Sequence, residues 1–292
     1  MYSQIAANKR RSFLIMMLFV VILAAIGYGY GLYIGDYRTL YFVLGFALFY
    51  SVVSYFISSK VALAVNGAKP IEKKDNPKLY RTVENLSIAA GLPMPKVYII
   101  NDPAPNAFAT GRDPAHASVA ATTGLLEIMN DTELEAVIGH EMSHVQNYDI
   151  RLMMVVFACV SIIGLLSDML LRIIWFGGDD DDNNSGPIGL ILIIVLSILA
   201  PIVATLVQLA VSRRRELLAD ASGALLTRYP DGLISALKKI EQSGSVTRRQ
   251  SSSTAHLYFA NPLKKKSISR LFSTHPPIEE RIAKLEAMGK AL

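Results

Sequence analysis

His140-Glu141-Met142-Ser143-His144 reads His-Glu-x-x-His within a run of helix formers. At about 100° per residue the two imidazoles lie one turn apart on one helical face, so both can reach a single metal ion. Glu141 follows the first histidine directly, which sets its carboxylate beside the metal, where it can take a proton from an attacking water. Thr132 and Glu135 have capping-box spacing ahead of this segment, and Asp131 and Glu133 suit the positive end of a helix dipole. The competing reading is a solvated helix whose two histidines share a face by chance. A third ligand decides between them. Glu216 and Asp220 lie one turn apart in Ser-Arg-Arg-Arg-Glu-Leu-Leu-Ala-Asp. A catalytic zinc takes three protein ligands and keeps one open position, and two histidines with one glutamate are a common set. Glu216 would complete it, with Asp220 behind a ligating histidine to fix its orientation. Spacing leaves a second reading open, in which Glu216 pairs with the neighbouring arginines.

The elements that must position these residues are set in a chain too apolar for an ordinary soluble protein. It has 292 residues, of which 52% are hydrophobic, and a mean hydropathy of +0.36. Its single cysteine, Cys159, excludes an intramolecular disulfide and a thiolate zinc site. The net charge of +5 comes from basic residues that flank apolar runs, without the aromatic-interleaved patch of a nucleic-acid binder. Nucleic acid is therefore not an expected partner.

Four apolar runs are expected to cross the bilayer, at about 13–34, 40–59, 152–176 and 188–211, each long enough for a ~30 Å hydrocarbon core. A cleaved signal peptide is the alternative for the first, but a second run follows after only a short turn. Lys9, Arg10 and Arg11 before the first run and Arg213 to Arg215 after the fourth put both termini in the cytoplasm by the positive-inside rule. The acidic stretch Gly177 to Gly186 is then an exposed loop on the other side. Asp168 and Arg172, at i and i+4 in the third run, read as a helix-end pair; a transport path is the competing reading. Between the hairpins, Asp75 to Gly91 has helical spacing at Leu79, Val83, Leu86 and Ile88. Lys96 to Ile100, Asn106 to Gly111 and Ser118 to Thr123 read as short strands able to accept an extended peptide. Leu233, Ala236, Leu237 and Ile240 mark a later amphipathic helix.

With the membrane hairpin, the His140-Glu141-x-x-His144 helix, two more spans and Ser-Arg-Arg-x-Glu216-x-x-Ala219-Asp220 in this order, the chain resembles the HtpX family of membrane-bound zinc metalloproteases, relatives of the CAAX prenyl proteases. The resemblance implies one Zn2+ per chain with Glu216 as third ligand, and Glu141 as catalytic base. It further implies cleavage of membrane or misfolded proteins, and a role in membrane protein quality control. Ser273 to Arg281 resembles the family's C-terminal His-Pro motif. Carried over, His275 would hydrogen-bond the oxyanion and Arg281 would help hold the site together; the competing and less favoured reading of His275 is that Thr274 or His275 simply caps a helix starting at the prolines. Asn106 resembles a substrate-binding residue on the family's edge strand.

The expected fold is mainly α: four transmembrane helices plus a zincin-like α+β cytoplasmic metalloprotease domain with a small sheet. Residues 1–59 form the first hairpin, 60–151 the first part of the protease domain, 152–211 the second hairpin and 212–292 the second part. Expected partners are the lipid bilayer of the inner membrane, crossed several times, and unfolded or membrane-protein substrates. A catalytically inactive, zinc-bound scaffold or holdase is the alternative, and Glu141 argues against it because a structural zinc needs no base.

Overall fold

Two long apolar helices open the chain: α1 (Tyr2–Ile34) and α2 (Arg38–Val65). The computed structural model describes residues 2–176, 213–244, 247, 257–260 and 276–289. The chain reverses between α1 and α2 at Gly35, whose φ of 75° suits a residue without a Cβ. The two helices come together at Gly27, where a Cβ would lie 2.8 Å from that of Val43; small residues let membrane helices approach in this way. Both extend beyond the apolar runs, α1 back through Lys9 to Arg11 and α2 on past Lys60. Helical hydrogen bonding does not stop where hydropathy does.

Helix α6 (Asp149–Phe176) packs against this hairpin through Phe19, Leu23, Ala47, Val156, Cys159 and Ile163. The Tyr50 hydroxyl donates to the Ala158 carbonyl at 2.9 Å. Phe42, Phe49 and Val52 face outward, an apolar surface that suits lipid. By length and composition Gln4–Tyr28 and Leu40–Val65 can each cross a membrane. Two further helices, Asp131–Gln146 and Asp149–Ile163, bent by 79°, pass the same test only as a pair. Residues 188–211 lie outside the described residues, as do the side chains of Asp168 and Arg172.

A four-stranded sheet lies beyond the hairpin: β1 (Ala68–Pro70), β2 (Lys96–Ile100), β3 (Ala107–Gly111) and β4 (Ala117–Thr122), in the order β1-β2-β4-β3. The β2/β4 pair is parallel and the outer two are antiparallel, with Ala107 opposite Ala121 and Gly111 opposite Ala117. Hence β3 is an edge strand. The periodicity found three of these strands. Three-residue β1 has no alternation to read and forms because Ala68 to Pro70 meets Tyr98 to Ile100.

Helix α3 (Pro77–Ala90) runs from an Asn76 cap to Gly91 at φ 64°. It buries Leu79, Val83 and Leu86, whereas Ile88 points outward at 76% exposure, a correction to the expected stripe. After the short α4 (Thr123–Ile128) comes α5 (Asp131–Gln146), which carries the histidines. Its capping box is Asn130 with Glu133, two residues before the expected Thr132 and Glu135. Asn130 Oδ1 accepts from Glu133 N, and Thr132 is left to donate its hydroxyl to the same oxygen. Glu133 also accepts from Ser235 at 2.6 Å and Lys239 at 2.7 Å, tying α5 to α8 (Pro230–Ser243), which buries Leu233, Ala236, Leu237 and Ile240. Helices α7 (Arg213–Thr227) and α9 (Ile278–Gly289) complete the described part.

Candidate active site

The site forms where α5 crosses α7. Gly139 and Gly223 make the approach possible: a Cβ on Gly223 would stand 2.8 Å from the His140 backbone nitrogen. Without side chains at the crossing, Glu216, two turns earlier on α7, comes level with both histidines. Glu216 Oε2 lies 3.7 Å from His140 Nε2, and Oε1 lies 3.6 Å from His144 Nε2. The two Nε2 atoms are 3.2 Å apart. All three side chains are buried, and one ligand atom from each falls within 4.8 Å of the others. Of the neighbouring arginines, Arg215 lies 3.7 Å from Asp149 and also feels the Glu216 charge.

Each ring is oriented from behind. His144 Nδ1 is 3.1 Å from Asp149 Oδ2. His140 Nδ1 is 2.9 Å from Asp220 Oδ1, off the line of a straight ring N–H bond. Arg281 grips Asp220 with two hydrogen bonds of 2.8 and 2.6 Å, donates to the Phe259 carbonyl at 3.3 Å, and stacks 4.5 Å from the Phe259 ring. That ring meets His140 edge-on at 4.9 Å. With each Nδ1 turned toward a carboxylate, both Nε2 lone pairs face one point. Such an arrangement calls for a cation. Bonds of about 2.0–2.1 Å in a tetrahedron put ligand atoms about 3.3–3.4 Å apart, close to the observed separations. Nitrogen and carboxylate donors of this kind suit a divalent transition metal.

The electrostatics agree. Burial pulls His140 down to about 4 despite Asp220. Burial also opposes charge on His144, but the Asp149 hydrogen bond and the Glu216 charge outweigh it and raise the group to about 9. Burial pushes Glu141 up to about 7, aided by Glu216 and opposed by His144 and by the backbone of Ala109. The Ala109 N–H, on edge strand β3, donates to Glu141 Oε2 at 2.8 Å. A carboxyl near neutrality beside a metal cleft and a strand edge can accept and return a proton.

Among the expected site residues, His140, Glu141, His144, Glu216, Asp220 and Arg281 come together here. Asn106 adjoins the site, but its side chain is engaged: Nδ2 donates to the Ala260 carbonyl at 2.8 Å and Oδ1 accepts from Ala260 N at 3.0 Å. Beside it, Phe259 N donates to the Ala107 carbonyl at 2.8 Å, closing that end of the β3 edge. His275 lies outside the described residues. Sequence reasoning missed Asp149, Phe259 and Asn8, whose side chain donates to Asp149 Oδ1 at 2.7 Å. Asp149 alone carried a signal, as an acidic residue five positions after the second histidine.

Comparison with known proteins agrees with this geometry. Residues 73–289 match the model of peptidase family M48. A protease HtpX homolog of Tropheryma whipplei (strain Twist) is 54% identical over 290 residues, covering 99% of both chains. One from Streptococcus gordonii is 45% identical over 299 residues, covering 99% of this chain and all of its own. The crystal structure of Ste24p from S. mikatae shares the fold, with a TM-score of 0.54 at 19% identity over 98% of this chain and 67% of that one. A metal cleft built where two glycines let helices touch, beside apolar helices suited to lipid, is what a membrane-bound metalloprotease needs, and the chain belongs to the HtpX proteases of peptidase family M48.

Proposed function

We propose that the protein is a zinc-dependent endopeptidase that cleaves membrane or unfolded proteins at the cytoplasmic face of the inner membrane. The observation that carries this reading is the convergence of His140, His144 and Glu216 on one buried point with Glu141 alongside. His140, His144 and Glu216 would hold the ion, and Asp220, Asp149 and Arg281 orient the rings. A zinc ion there supplies a Lewis acid for the scissile carbonyl and lowers the pKa of a water to about 7. The Glu141 carboxylate takes the proton of the attacking water and delivers it to the leaving amine nitrogen, for which a value near 7 is suited to both steps. A substrate in extended form would lie along the β3 edge, where the Ala109 N–H is exchanged from Glu141 to a substrate carbonyl. His275 would donate to the oxyanion, and Asn106 would hold the Ala260 wall at the end of the substrate strand.

Orientation rests on charge. Lys9 to Arg11 and Arg213 to Arg215 flank apolar runs and favour a cytoplasmic protease domain built from 60–151 and 212–292, with four spans anchoring it. Such a site at the membrane surface suits quality control of membrane proteins.

The test compares wild type, Glu141→Gln and Glu216→Ala for metal content and casein cleavage in the same preparations. Glu141→Gln is expected to keep zinc and lose cleavage, and Glu216→Ala to lose both. Cleavage that survives Glu141→Gln removes the proposed base; a zinc-loaded wild type that never cleaves favours a scaffold.

A further inference from the structure

The reaction described above makes no use of Asn8, yet this residue of the first membrane helix reaches the metal site. It is completely buried. Its Nδ2 donates at 2.7 Å to Asp149 Oδ1 and at 2.9 Å to the carbonyl of Asn147, residues far away in the chain. Asn147 is the C-cap of α5, and Asp149 presents its other oxygen to Nδ1 of His144 at 3.1 Å. One amide therefore holds both the end of the helix that carries His144 and the carboxylate that aims its ring. The chemistry calls for an amide. A single NH2 group offers two donors, one for a carbonyl and one for a carboxylate. A hydroxyl would offer one, and an aspartate would repel Asp149. A buried amide of this kind is costly unless its hydrogen bonds are made; here both donors are matched, while Oδ1 has no hydrogen-bond partner among the described residues.

We propose that Asn8 is a positioning residue of the metal site: through Asp149 and the last turn of α5 it fixes His144, so that the first membrane helix completes the metal centre. The proposal rests on the reading of His140, His144 and Glu216 as metal ligands. Its consequence is that metal affinity depends on the docking of α1, and that the N-terminal hairpin is a working part of the enzyme as well as an anchor.

The experiment measures zinc affinity by chelator competition in the full chain, reconstituted in lipid nanodiscs. It also records the visible spectrum of the cobalt-substituted protein, which reports the geometry of the ligands. Variants are Asn8→Ala, Asn8→Ser, Asp149→Ala and the double Asn8→Ala/Asp149→Ala. Tyr50→Phe, which removes the 2.9 Å hydrogen bond between α2 and α6, is the control for packing of the same bundle. Loss of an outer partner of a ligating histidine weakens metal binding by roughly 10- to 100-fold. Asn8→Ala is therefore expected to weaken zinc about ten-fold and shift the cobalt spectrum. Asn8→Ser should do so less, and it reads the same link should loss of the whole amide prevent folding. The double variant should bind no more weakly than Asp149→Ala alone, and Tyr50→Phe should match wild type. The proposal is overturned if both Asn8 variants keep wild-type affinity and spectrum while Asp149→Ala loses affinity, or if the Asn8 loss adds in full to that of Asp149→Ala. A wild type that binds no zinc would overturn the metal reading itself, an outcome told apart because it needs no variant.

Discussion

Replacing Arg281 by methionine tests whether the Asp220–Arg281 pair holds the site from behind. Both side chains are buried, and the substitution removes two hydrogen bonds of 2.8 and 2.6 Å from the Asp220 carboxylate. Methionine keeps much of the volume against Phe259, so the loss is mainly electrostatic. Breaking a buried pair on one side costs about 3–5 kcal/mol, because the remaining charge is left uncompensated. The Asp220 carboxyl points the same way. Burial raises the Asp220 carboxyl, but the Arg281 charge, the close contact with His140 Nδ1 and the Arg281 hydrogen bonds reverse this and lower it from 3.8 to about 2. At ~1.4 kcal/mol per unit that shift corresponds to about 2 kcal/mol. The expected loss at neutral pH is thus about 2–5 kcal/mol, followed by circular dichroism during denaturation in detergent. Asp220 has a folded-state value below its unfolded one, so its contribution is present in full above about pH 4 and is lost as pH falls toward 2. In Arg281→Met the burial effect remains without its opponent, and lowering the pH through the acid range should stabilise the variant relative to wild type. Adding Asp220→Asn removes the stranded charge and should restore most of the stability while zinc affinity stays weak. A single variant within about 1 kcal/mol of wild type at neutral pH would refute the reasoning.

Two other outcomes follow from the same geometry. Gly223→Ala puts a Cβ 2.8 Å from His140 N and 3.0 Å from its Cα. Backbone cannot yield as a side chain can, so α7 must back away from α5. A cost of about 1–3 kcal/mol is expected, with a clear fall in zinc affinity by chelator competition, whereas Gly45→Ala, which meets nothing within 4 Å, should change neither. The second concerns pH. A group raised to about 9 must release its proton before the ring can bind a metal, and His144 is such a group. Apparent zinc affinity should climb about ten-fold per pH unit from 6 to 8; a flat profile would mean that the rings share no proton.

The extent to which the sequence foretold this protein depends on how local each feature is. His140, Glu141 and His144 were legible because one helical turn relates them, and Glu216 and Asp220 because another turn does. Strands β2, β3 and β4 showed as short apolar runs between turns, and α8 as a stripe of four buried residues. Local patterns are less secure where two registers compete. Thr132 and Glu135 have the same spacing as the true cap, Asn130 and Glu133, and only the position of the first helical turn chooses between them. Ile88 is apolar, yet at about 100° per residue it lies on the face opposite Leu79, Val83 and Leu86, and it is exposed while those three are buried.

The remaining features have no local expression. Whether Glu216 faces its arginine neighbours or two distant histidines is decided by the contact of Gly139 with Gly223, and no periodicity in either helix records that contact. Asn106 is committed to Ala260 because a segment from near the C-terminus lies on the end of β3. Asn8 meets Asp149 only because α1 packs against the bend between α5 and α6, where Asp149 faces His144. By itself, then, the sequence determined which residue types were available for metal chemistry and which helices and strands would carry them, since hydrogen bonding and periodicity act within a few residues. The tertiary structure alone decided which carboxylates stand behind which imidazole, because Asp220 and Arg281 reach His140 from distant parts of the chain, and Asp149, though only five residues from His144, meets it only across the bend between α5 and α6.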